Sequence, residues 1–388
     1  MSKDSKADKA TQEQELEHEQ VSINLDILGY IFTLVPLIDL VSTFQVSKSW
    51  KQAVSTSLHH LNPIKPWLFL HSQSTRSPFS TTAYAFDPRS SLWINVQQPP
   101  STSSTSPPLR SSHSTLLYTL SPSKFSFSFH PFHADWSVVD APLIWRTDPT
   151  VAVIGHRIIV AGGTCDFEDD PLAVEIYNMN TSTWETCESM PAVFQHSAAS
   201  MWLSTAVTTD KMYVADKTTA VAYRFDPEIK TWYGPYNLCP NANMQSCYVG
   251  FANDRLILIG LIGEDDETVD EVKLFELNCE SMEITREIGE MPNFLVEKMR
   301  GEVLSLSSMV VNVMGDFVFV INGSYPEEVF LCELDGHGGG CSWSSVSNVV
   351  VNDDKCRLME RLVFTCANVS LGDLYKATMI QGRRFTVL

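Results

Sequence analysis

The sequence predicts a mainly β protein in which a small three-helix unit precedes a six-bladed β-propeller. Three observations support this. Residues 22–57 carry apolar stripes at helical spacing, an aromatic–tryptophan marker recurs about every 50 residues after residue 60, and a strand-like apolar run precedes each marker. Residues 1–20 are polar and charged, so we expect a disordered tail there. The expected divisions are 1–20, 21–58 and 60–388.

The helical unit is predicted from three apolar stripes. The first two lie on either side of Pro36, which ends one helix and can stand in the first turn of the next. Their members are Leu25, Leu28, Ile31, Phe32 and Val35, then Leu37, Leu40, Val41 and Phe44. A third short helix is expected from Lys48 to Ser57, with Trp50 and Val54 on one side. Such a unit has too little interior to hide all these side chains, so we expect an exposed apolar patch.

The repeated marker is an aromatic residue seven positions before a tryptophan. It occurs at Phe86/Trp93, Phe129/Trp136, Tyr177/Trp184 and Phe225/Trp232, in weaker form at Phe275/Met282, and Trp343 closes the series. The preceding strand-like runs are 67–72, 116–121, 157–163, 211–216, 255–263 and 316–323. Each unit contains a strand, a turn, a strand with the aromatic residue and a strand with the tryptophan, an order that describes a four-stranded antiparallel blade. In the third unit, Gly162 and Gly163 allow positive φ after the second strand.

Two parts of the propeller are left open by the sequence. The strands around Lys124 in the second unit can be assigned in two ways. The strand-like segments 361–371 and 383–388 are expected to finish the last blade, and one of them could instead return to close the ring on the first.

Composition excludes several classes of protein. Lys and Arg number 27 against 46 Asp and Glu, a net charge of −19, which argues against a nucleic-acid binder. The apolar run from Ile27 to Ile38 is too short to cross a bilayer, and no signal peptide is expected. Nine cysteines without a CxxC pair indicate reduced thiols in the cytoplasm or nucleus and no metal site or other cofactor.

The helical segment INLDILGYIFTLVPLIDLVSTFQVSKSW (23–50) resembles an F-box. Ile31 and Phe32 match its central pair, and Val35-Pro36 matches its internal Leu-Pro. Residues 46–50 match its closing motif with Ser in place of Cys, while Ile23-Asn24 replaces the first Leu-Pro. The resemblance implies docking to the Skp-type adaptor of cullin–RING ubiquitin ligases. The expected adaptor-binding residues are Leu25, Ile27, Leu28, Ile31, Phe32, Val35, Pro36, Leu37, Leu40, Val46 and Trp50.

The remaining chain looks like kelch repeats, and the third unit, IIVAGG…YNMNTSTWETCESMP, keeps nearly every mark of that family. An F-box ahead of kelch repeats is more specific than either alone. The whole chain resembles the F-box/kelch-repeat proteins that are numerous in plants. This resemblance implies a non-catalytic substrate receptor of an SCF-type ubiquitin ligase, which binds an adaptor, through it a cullin, and an unidentified protein substrate.

Two other functions stay open at this point. The chain could be a protein-binding scaffold whose F-box is inert, or, less favoured, a kelch-fold enzyme. A copper oxidase of that fold needs two His, two Tyr and a Cys, whereas His130 and His133 are the only close non-adjacent His pair. The motifs GxSxG, HExxH, GxGxxG and the P-loop are all missing from the sequence.

Acidic loops give the candidate substrate-binding residues. The segments 165–171, 263–271 and 324–329 follow second strands, and in a meander such loops leave each blade on one face, together with the links between blades. The candidates are Asp166, Glu168, Asp169, Asp170, Glu264, Asp265, Asp266 and Glu267. Clustered acids steer a basic segment of a partner. The alternative is a solvated acidic rim that only aids solubility.

Overall fold

The computed structural model of the protein describes most of the chain after residue 23. The described residues are 24–76, 80–97, 107–130, 132, 136–165, 169–240, 243–264, 268–301, 308–336, 340–351, 360–380 and 382–388. The expected disordered tail at 1–20 lies outside them. The chain divides after Pro63 into two compact units, which are described separately below.

The first unit is helical, as predicted. It contains α1 (Leu25–Thr33), α2 (Leu37–Thr43), α3 (Lys48–Thr56) and a π-helical turn at Ser57–Leu61. Asn24 caps α1 by accepting a 2.8 Å hydrogen bond from the Asp26 amide, and Ser47 caps α3 by accepting from the Trp50 amide at 3.2 Å. Pro36 stands at the N-cap of α2, where its missing N–H costs nothing.

The interior of this unit is small. Its buried apolar side chains are Leu28, Phe32, Leu37, Leu40, Ala53, Val54 and Leu58. The ring of Phe32 on α1 lies 5.3 Å from the ring of Trp50 on α3, so these two helices are joined by an aromatic contact. The remaining apolar residues of α1 are left on the surface.

The second unit is a six-bladed β-propeller, which confirms the predicted fold. Blades 1 to 3 contain β1 (Trp67–Ser74), β2 (Thr81–Asp87) and β3 (Leu92–Gln97); β4 (Leu109–Arg110), β5 (Leu117–Leu120), β6 (Lys124–Ser128) and β7 (Ser137–Asp140); and β8 (Thr150–Ile154), β9 (Arg157–Ala161), β10 (Val174–Asn178) and β11 (Thr183–Cys187).

Blades 4 to 6 contain β12 (Leu203–Val207), β13 (Met212–Asp216), β14 (Val221–Asp226) and β15 (Thr231–Asn237); β16 (Met244–Ala252), β17 (Arg255–Ile262), β18 (Glu271–Leu277) and β19 (Ile284–Glu290); and β20 (Met309–Met314), β21 (Phe317–Asn322), β22 (Glu328–Leu334) and β23 (Cys341–Ser347). Helix α4 (Asn293–Arg300) links blades 5 and 6. The chain ends with β24 (Glu360–Ala367), α5 (Leu371–Thr378) and β25 (Arg384–Val387).

Both C-terminal strands belong to the first blade, so the expectation that they finish the last blade is wrong. The first sheet has the order β24-β1-β2-β3-β25, with β24 innermost and β25 outermost. Blade 6 is already complete, because β23 supplies its fourth strand after the glycine-rich segment 335–340. The alternative that a C-terminal segment returns to close the ring is therefore confirmed, and two strands do so instead of one.

The aromatic–tryptophan marker corresponds to a pair across the third and fourth strands of a blade. Phe86 pairs with Trp93, Tyr177 with Trp184 and Phe225 with Trp232, with ring centroids 5.3, 5.2 and 4.8 Å apart. Blade 2 departs from this pattern. Phe129 and Trp136 stand just outside the ladder of β6 and β7 and are exposed, because the ladder there ends at the pair Phe127–Ser137.

The two glycines that follow β9 have positive φ, as predicted, at 67° for Gly162 and 108° for Gly163. The amide of Gly163 donates to the Ala198 carbonyl at 2.8 Å, which ties the loop to the link between blades 3 and 4. A Cβ on Gly163 would lie 2.8 Å from the Thr147 carbonyl oxygen. Both the dihedral angle and the close approach therefore require glycine at this position.

We expect Gly163→Ala to lower the free energy of unfolding by about 3 kcal/mol, since strained backbone and a clash with backbone add together. Gly155→Ala is the matched control. Gly155 also has positive φ, at 57°, but nothing lies within 4 Å of its Cβ position, so about 1 kcal/mol is expected. Urea unfolding of both variants measures the difference, and equal losses would contradict the role assigned to the close contact.

Candidate functional site

The first candidate site is an exposed apolar surface on α1. Ile27, Tyr30, Ile31 and Leu34, here called the α1 stripe, are all exposed, and the Leu34 side chain is 86% accessible. Their spacing of three or four residues places them along one side of the helix. Leu28 and Phe32 occupy the opposite side and are buried. An apolar row of this kind on a short helix is typical of a surface that a partner covers.

The predicted adaptor-binding residues therefore divide by exposure. Leu25, Ile27, Ile31 and Val46 are exposed, while Val35, Pro36 and Trp50 are partly buried. Leu28, Phe32, Leu37 and Leu40 are buried, so their role in this structure is to pack the unit. No observation on this chain tests which of the exposed residues contact an adaptor, and their assignment stays a prediction.

Sequence reasoning missed two members of the α1 stripe. Tyr30 and Leu34 lie three and seven residues after Ile27, on the same side of α1. The F-box motif positions used above are Ile31, Phe32 and Val35, and they do not include Tyr30 or Leu34. The helical spacing of Tyr30 and Leu34 from Ile27, on the side of α1 away from Trp50, is the signal in the sequence that indicates these two residues.

The second candidate site is the face of the propeller at which second strands end and first strands begin, here called the upper face. Because each blade is an antiparallel meander, the loops after β9, β17 and β21 and the links between blades all leave at this face. The three acidic loops predicted from the sequence belong to it.

Of the predicted acidic residues, Asp169, Asp170 and Glu264 are described and are exposed. Asp166, Glu168, Asp265, Asp266 and Glu267 lie outside the described residues. Asp170 stabilises its own loop, accepting hydrogen bonds from the Leu172 amide at 2.9 Å and the Ser189 hydroxyl at 2.6 Å. The basic-partner hypothesis for these loops stays a prediction.

A cavity of about 220 Å³ lies where the innermost strands of the propeller meet. Its lining is largely polar and includes Ser111, Ser112, His113, Ser114, Ser200, Ser204, Thr205, Lys217 and Asn312. Asn312 comes from β20 and is 3% exposed, and its Nδ2 atom has no hydrogen-bond partner among the described residues. The same holds for Nε2 of His113, whose pKa is lowered by burial to about 4.

Lys217 is the cationic side chain among the residues that line this cavity. The Lys217 ammonium donates to the Met201 carbonyl at 2.8 Å and lies 5.3 Å from the centroid of the Tyr248 ring. Burial lowers the pKa of Lys217 to about 8, and the carboxylate of Asp148 opposes that shift. Arg110 forms an ion pair with Asp148, which also accepts a hydrogen bond from Ser200 at 3.0 Å.

Arg361 adds a further cation near Arg110 and Asp148. It is the second residue of β24, and the pKa of its guanidinium is lowered by burial and by the nearby charge of Arg110. The charged residues Arg110, Asp148, Lys217 and Arg361 come from parts of the chain that are far apart in sequence. Sequence reasoning did not find them, because nothing local in the sequence shows that ring closure brings them together.

The described residues contain no group of three or more His, Cys, Asp or Glu that could hold a metal ion. Within the same residues, no helix is long and apolar enough to span a membrane.

Comparison with known proteins identifies both units. An F-box domain model matches residues 22–61, and a Kelch motif model matches residues 146–191, which span the third blade. The F-box/kelch-repeat protein At1g23390 of Arabidopsis thaliana is 42% identical over 369 residues, covering 92% of each chain. This chain belongs to the F-box/kelch-repeat family.

Members of this family are typically non-catalytic adaptors, and the F-box domain implies binding to a Skp-type adaptor. Among solved structures, the one titled "Structure of YjhT" aligns with a TM-score of 0.38 and 13% identity, over 55% of this chain and 67% of that chain.

Lys217 should make the stability of the F-box/kelch protein depend on pH. Below pH 8 the ammonium is charged in both folded and unfolded states, and its partial desolvation destabilises the fold. As pH rises through about 8 the folded protein loses this proton, while the unfolded chain keeps it up to about 10.5. Between these values the unfolded state binds more protons, so the wild type gains stability relative to Lys217→Met.

We expect the relative gain between pH 7.5 and 9.5 to be about 1–2 kcal/mol, smaller than the full shift because the side chain is partly solvated. Thermal unfolding of the two proteins at a series of pH values measures it. Lys217→Arg is the control, because arginine stays charged over this range and its difference from Lys217→Met should stay constant. A constant difference for the wild type as well would contradict the assigned pKa.

Proposed function

We propose that the protein is a substrate receptor of an SCF-type cullin–RING ubiquitin ligase. In this proposal the helical unit binds the Skp-type adaptor through the α1 stripe, and the upper face of the propeller binds the substrate. The observation that carries the proposal is the exposed apolar row on α1, in a unit that matches the F-box model over 22–61. The domain order of the 42% identical relative supports it.

The energetics favour a partner on α1. Full burial of a large aliphatic side chain contributes about 1.5–3 kcal/mol, so covering Ile27, Ile31 and Leu34 would contribute several kcal/mol before the cost of association. Buried apolar anchors of this kind dominate most interfaces. Leu34 is exposed and lies outside the interior that Phe32 and its neighbours fill. It therefore contributes nothing to the stability of the unit itself.

The proposed receptor performs no bond chemistry of its own. It would act by proximity, holding a substrate lysine near a conjugating enzyme that the rest of the ligase supplies, and so raising its effective concentration. No observation favours the enzymatic alternative. His130 lies 3.9 Å from an oxygen of Asp373, and the other member of the predicted pair, His133, lies outside the described residues.

The test is adaptor binding by an α1 stripe variant. Ile31→Glu combined with Leu34→Glu places two carboxylates in the proposed interface, and we expect co-purification of the adaptor to fall at least tenfold. Both positions are exposed, so the variant should stay folded, which circular dichroism checks. The matched control is Gln52→Glu combined with Ser55→Glu on α3, two exposed polar positions that receive the same two charges.

Undiminished adaptor binding by the folded double variant would overturn the assignment of the α1 stripe. Cullin co-purification separates the ligase receptor from a scaffold whose F-box acts elsewhere. A wild-type protein that retains the adaptor but never a cullin would favour the scaffold.

A further inference from the structure

The cavity at the centre of the propeller contains polar groups that the protein itself does not satisfy. Asn312 is almost completely buried, and its Nδ2 has no partner among the described residues. A buried polar atom without a partner destabilises the folded protein. Most buried polar groups are paired in native proteins, so an unpaired amide that faces a cavity indicates a group that binds there.

The charges around the upper end of the cavity are close to balanced, whereas the whole chain carries a net charge of −19. The described cations here are Lys217, Arg110 and Arg361, and the described acids are Asp148, Asp216 and Glu360. Asp216 accepts hydrogen bonds from the Thr218 and Thr219 amides. Asp148 is already bound by Arg110, and Glu360 accepts a hydrogen bond from Ser72.

Two of these cations, Lys217 and Arg361, feel the charge of Asp148 without forming an ion pair with it. Neither Lys217 nor Arg361 forms an ion pair with a carboxylate of the described residues; the Lys217 ammonium donates to a carbonyl instead. An incompletely compensated, partly buried ammonium destabilises the fold, and such groups are concentrated at functional sites. Lys217 and the Asn312 amide both line the cavity and are donors suited to an anion.

The size of the cavity limits the occupant. About 220 Å³ is below the range of roughly 300–1,000 Å³ that is usual for sites of whole small molecules. It holds the end of one side chain with some water. A carboxylate on a short stem fits both the volume and the donors, whereas an apolar side chain would leave the Asn312 amide unpaired and the charge of Lys217 incompletely compensated.

Apolar surface borders the same place. Met201 and Trp202 immediately precede β12 and are 61% and 47% exposed. The Lys217 amide donates to the Trp202 carbonyl at 3.0 Å, so the backbones of these two residues lie side by side. Trp202 also lines a second cavity of about 370 Å³ between blades 3 and 4, together with Gly163, Pro171 and His196.

We propose that the substrate inserts one acidic side chain, Asp or Glu, into the upper end of the central cavity, where Lys217 and Asn312 bind its carboxylate, and packs an adjacent apolar side chain against Met201 and Trp202. This proposal rests on the proposed function, because it names the substrate segment that the propeller of the receptor recognises.

The acidic loops add to the specificity for the substrate segment. Asp169 and Glu264 are exposed on the same face, and like charges disfavour a segment that is acidic throughout. The preferred segment then contains a single acidic residue beside an apolar one, with neutral or basic residues around it. Basic residues on either side of the acidic one would also contact the acidic loops. The sequence predicts a basic partner segment for these loops.

The experiment selects binders from a random twelve-residue peptide library displayed on phage, using the full chain as bait. We expect the wild type to enrich peptides with one Asp or Glu next to a large apolar residue. A synthetic peptide from this set should bind at least tenfold more weakly to Lys217→Met, and at least tenfold more weakly when its acid is replaced by the matching amide. Lys230→Met is the control, because Lys230 lies in a β14–β15 hairpin at the opposite edge.

A second variant distinguishes a loss of peptide binding from a folding defect. Arg361→Gln keeps a polar side chain while removing the positive charge, and it should weaken binding of the same peptide severalfold. The Lys217→Met protein should melt no lower than the wild type, because a desolvated charge has been removed, whereas a merely structural lysine would lower the midpoint.

Several outcomes would overturn the proposal. These are selection of peptides without a preference for acids, unchanged binding by both variants, or binding of free glutarate as tightly as the peptide, which would make the cavity a site for small anions. The assay contains no adaptor, so its failure is distinct from failure of the α1 stripe to dock.

Discussion

The closure of the ring through β24 and β1 is the constraint on which the rest of the propeller depends. These strands pair over eight residues, from Trp67–Ala367 to Ser74–Glu360, although almost the whole propeller separates them in sequence. Leu68 and Leu70 of β1 then pack with Phe317 and Phe319 of blade 6. Loop-closure entropy opposes this pairing, and only the completed interface between blades 1 and 6 offsets it. Until it forms, blade 1 lacks its inner strand and the central cavity lacks one wall.

A second constraint fixes the upper face near blade 3. Arg146 and Glu175 form an ion pair that is almost completely buried, with side-chain exposures of 1% and 0%. Arg146 also donates to the Ala173 and Gly162 carbonyls, and Glu175 accepts from the Leu143 amide at 2.6 Å. Both charges are therefore supplied with hydrogen bonds, the condition under which a buried pair is tolerated. The pair joins the link from blade 2 to the loop that begins at Gly162, so it holds one edge of the second cavity, which Gly163 and Trp202 line.

The repeat was predictable from sequence because its signal is local. Phe86/Trp93, Tyr177/Trp184 and Phe225/Trp232 are neighbours on adjacent strands, so a fixed spacing of seven residues records the contact. In blade 2 a longer connection moves Phe129 and Trp136 off the ladder, and the signal weakens there. The place of β25 beside β3 has no local signal, since strand pairing between distant segments is set by packing. The donors around the cavity have no local signal for the same reason, because Lys217 and Asn312 line one cavity only through closure of the ring.

The central cavity shows why these donors are better explained by binding than by stability. A leucine or methionine at Lys217 would fill space without a desolvated charge, and natural proteins retain such costs mainly where function requires them. Asn312 points to the same explanation, because an apolar side chain of similar size would leave no unpaired amide. Lys217 is an incompletely compensated cation and Asn312 is an unpaired buried donor, and both line one cavity at the upper face. Each of them destabilises the interior independently of the other. Exposed Trp202 beside them adds apolar surface that a protein segment can cover and a free ion cannot.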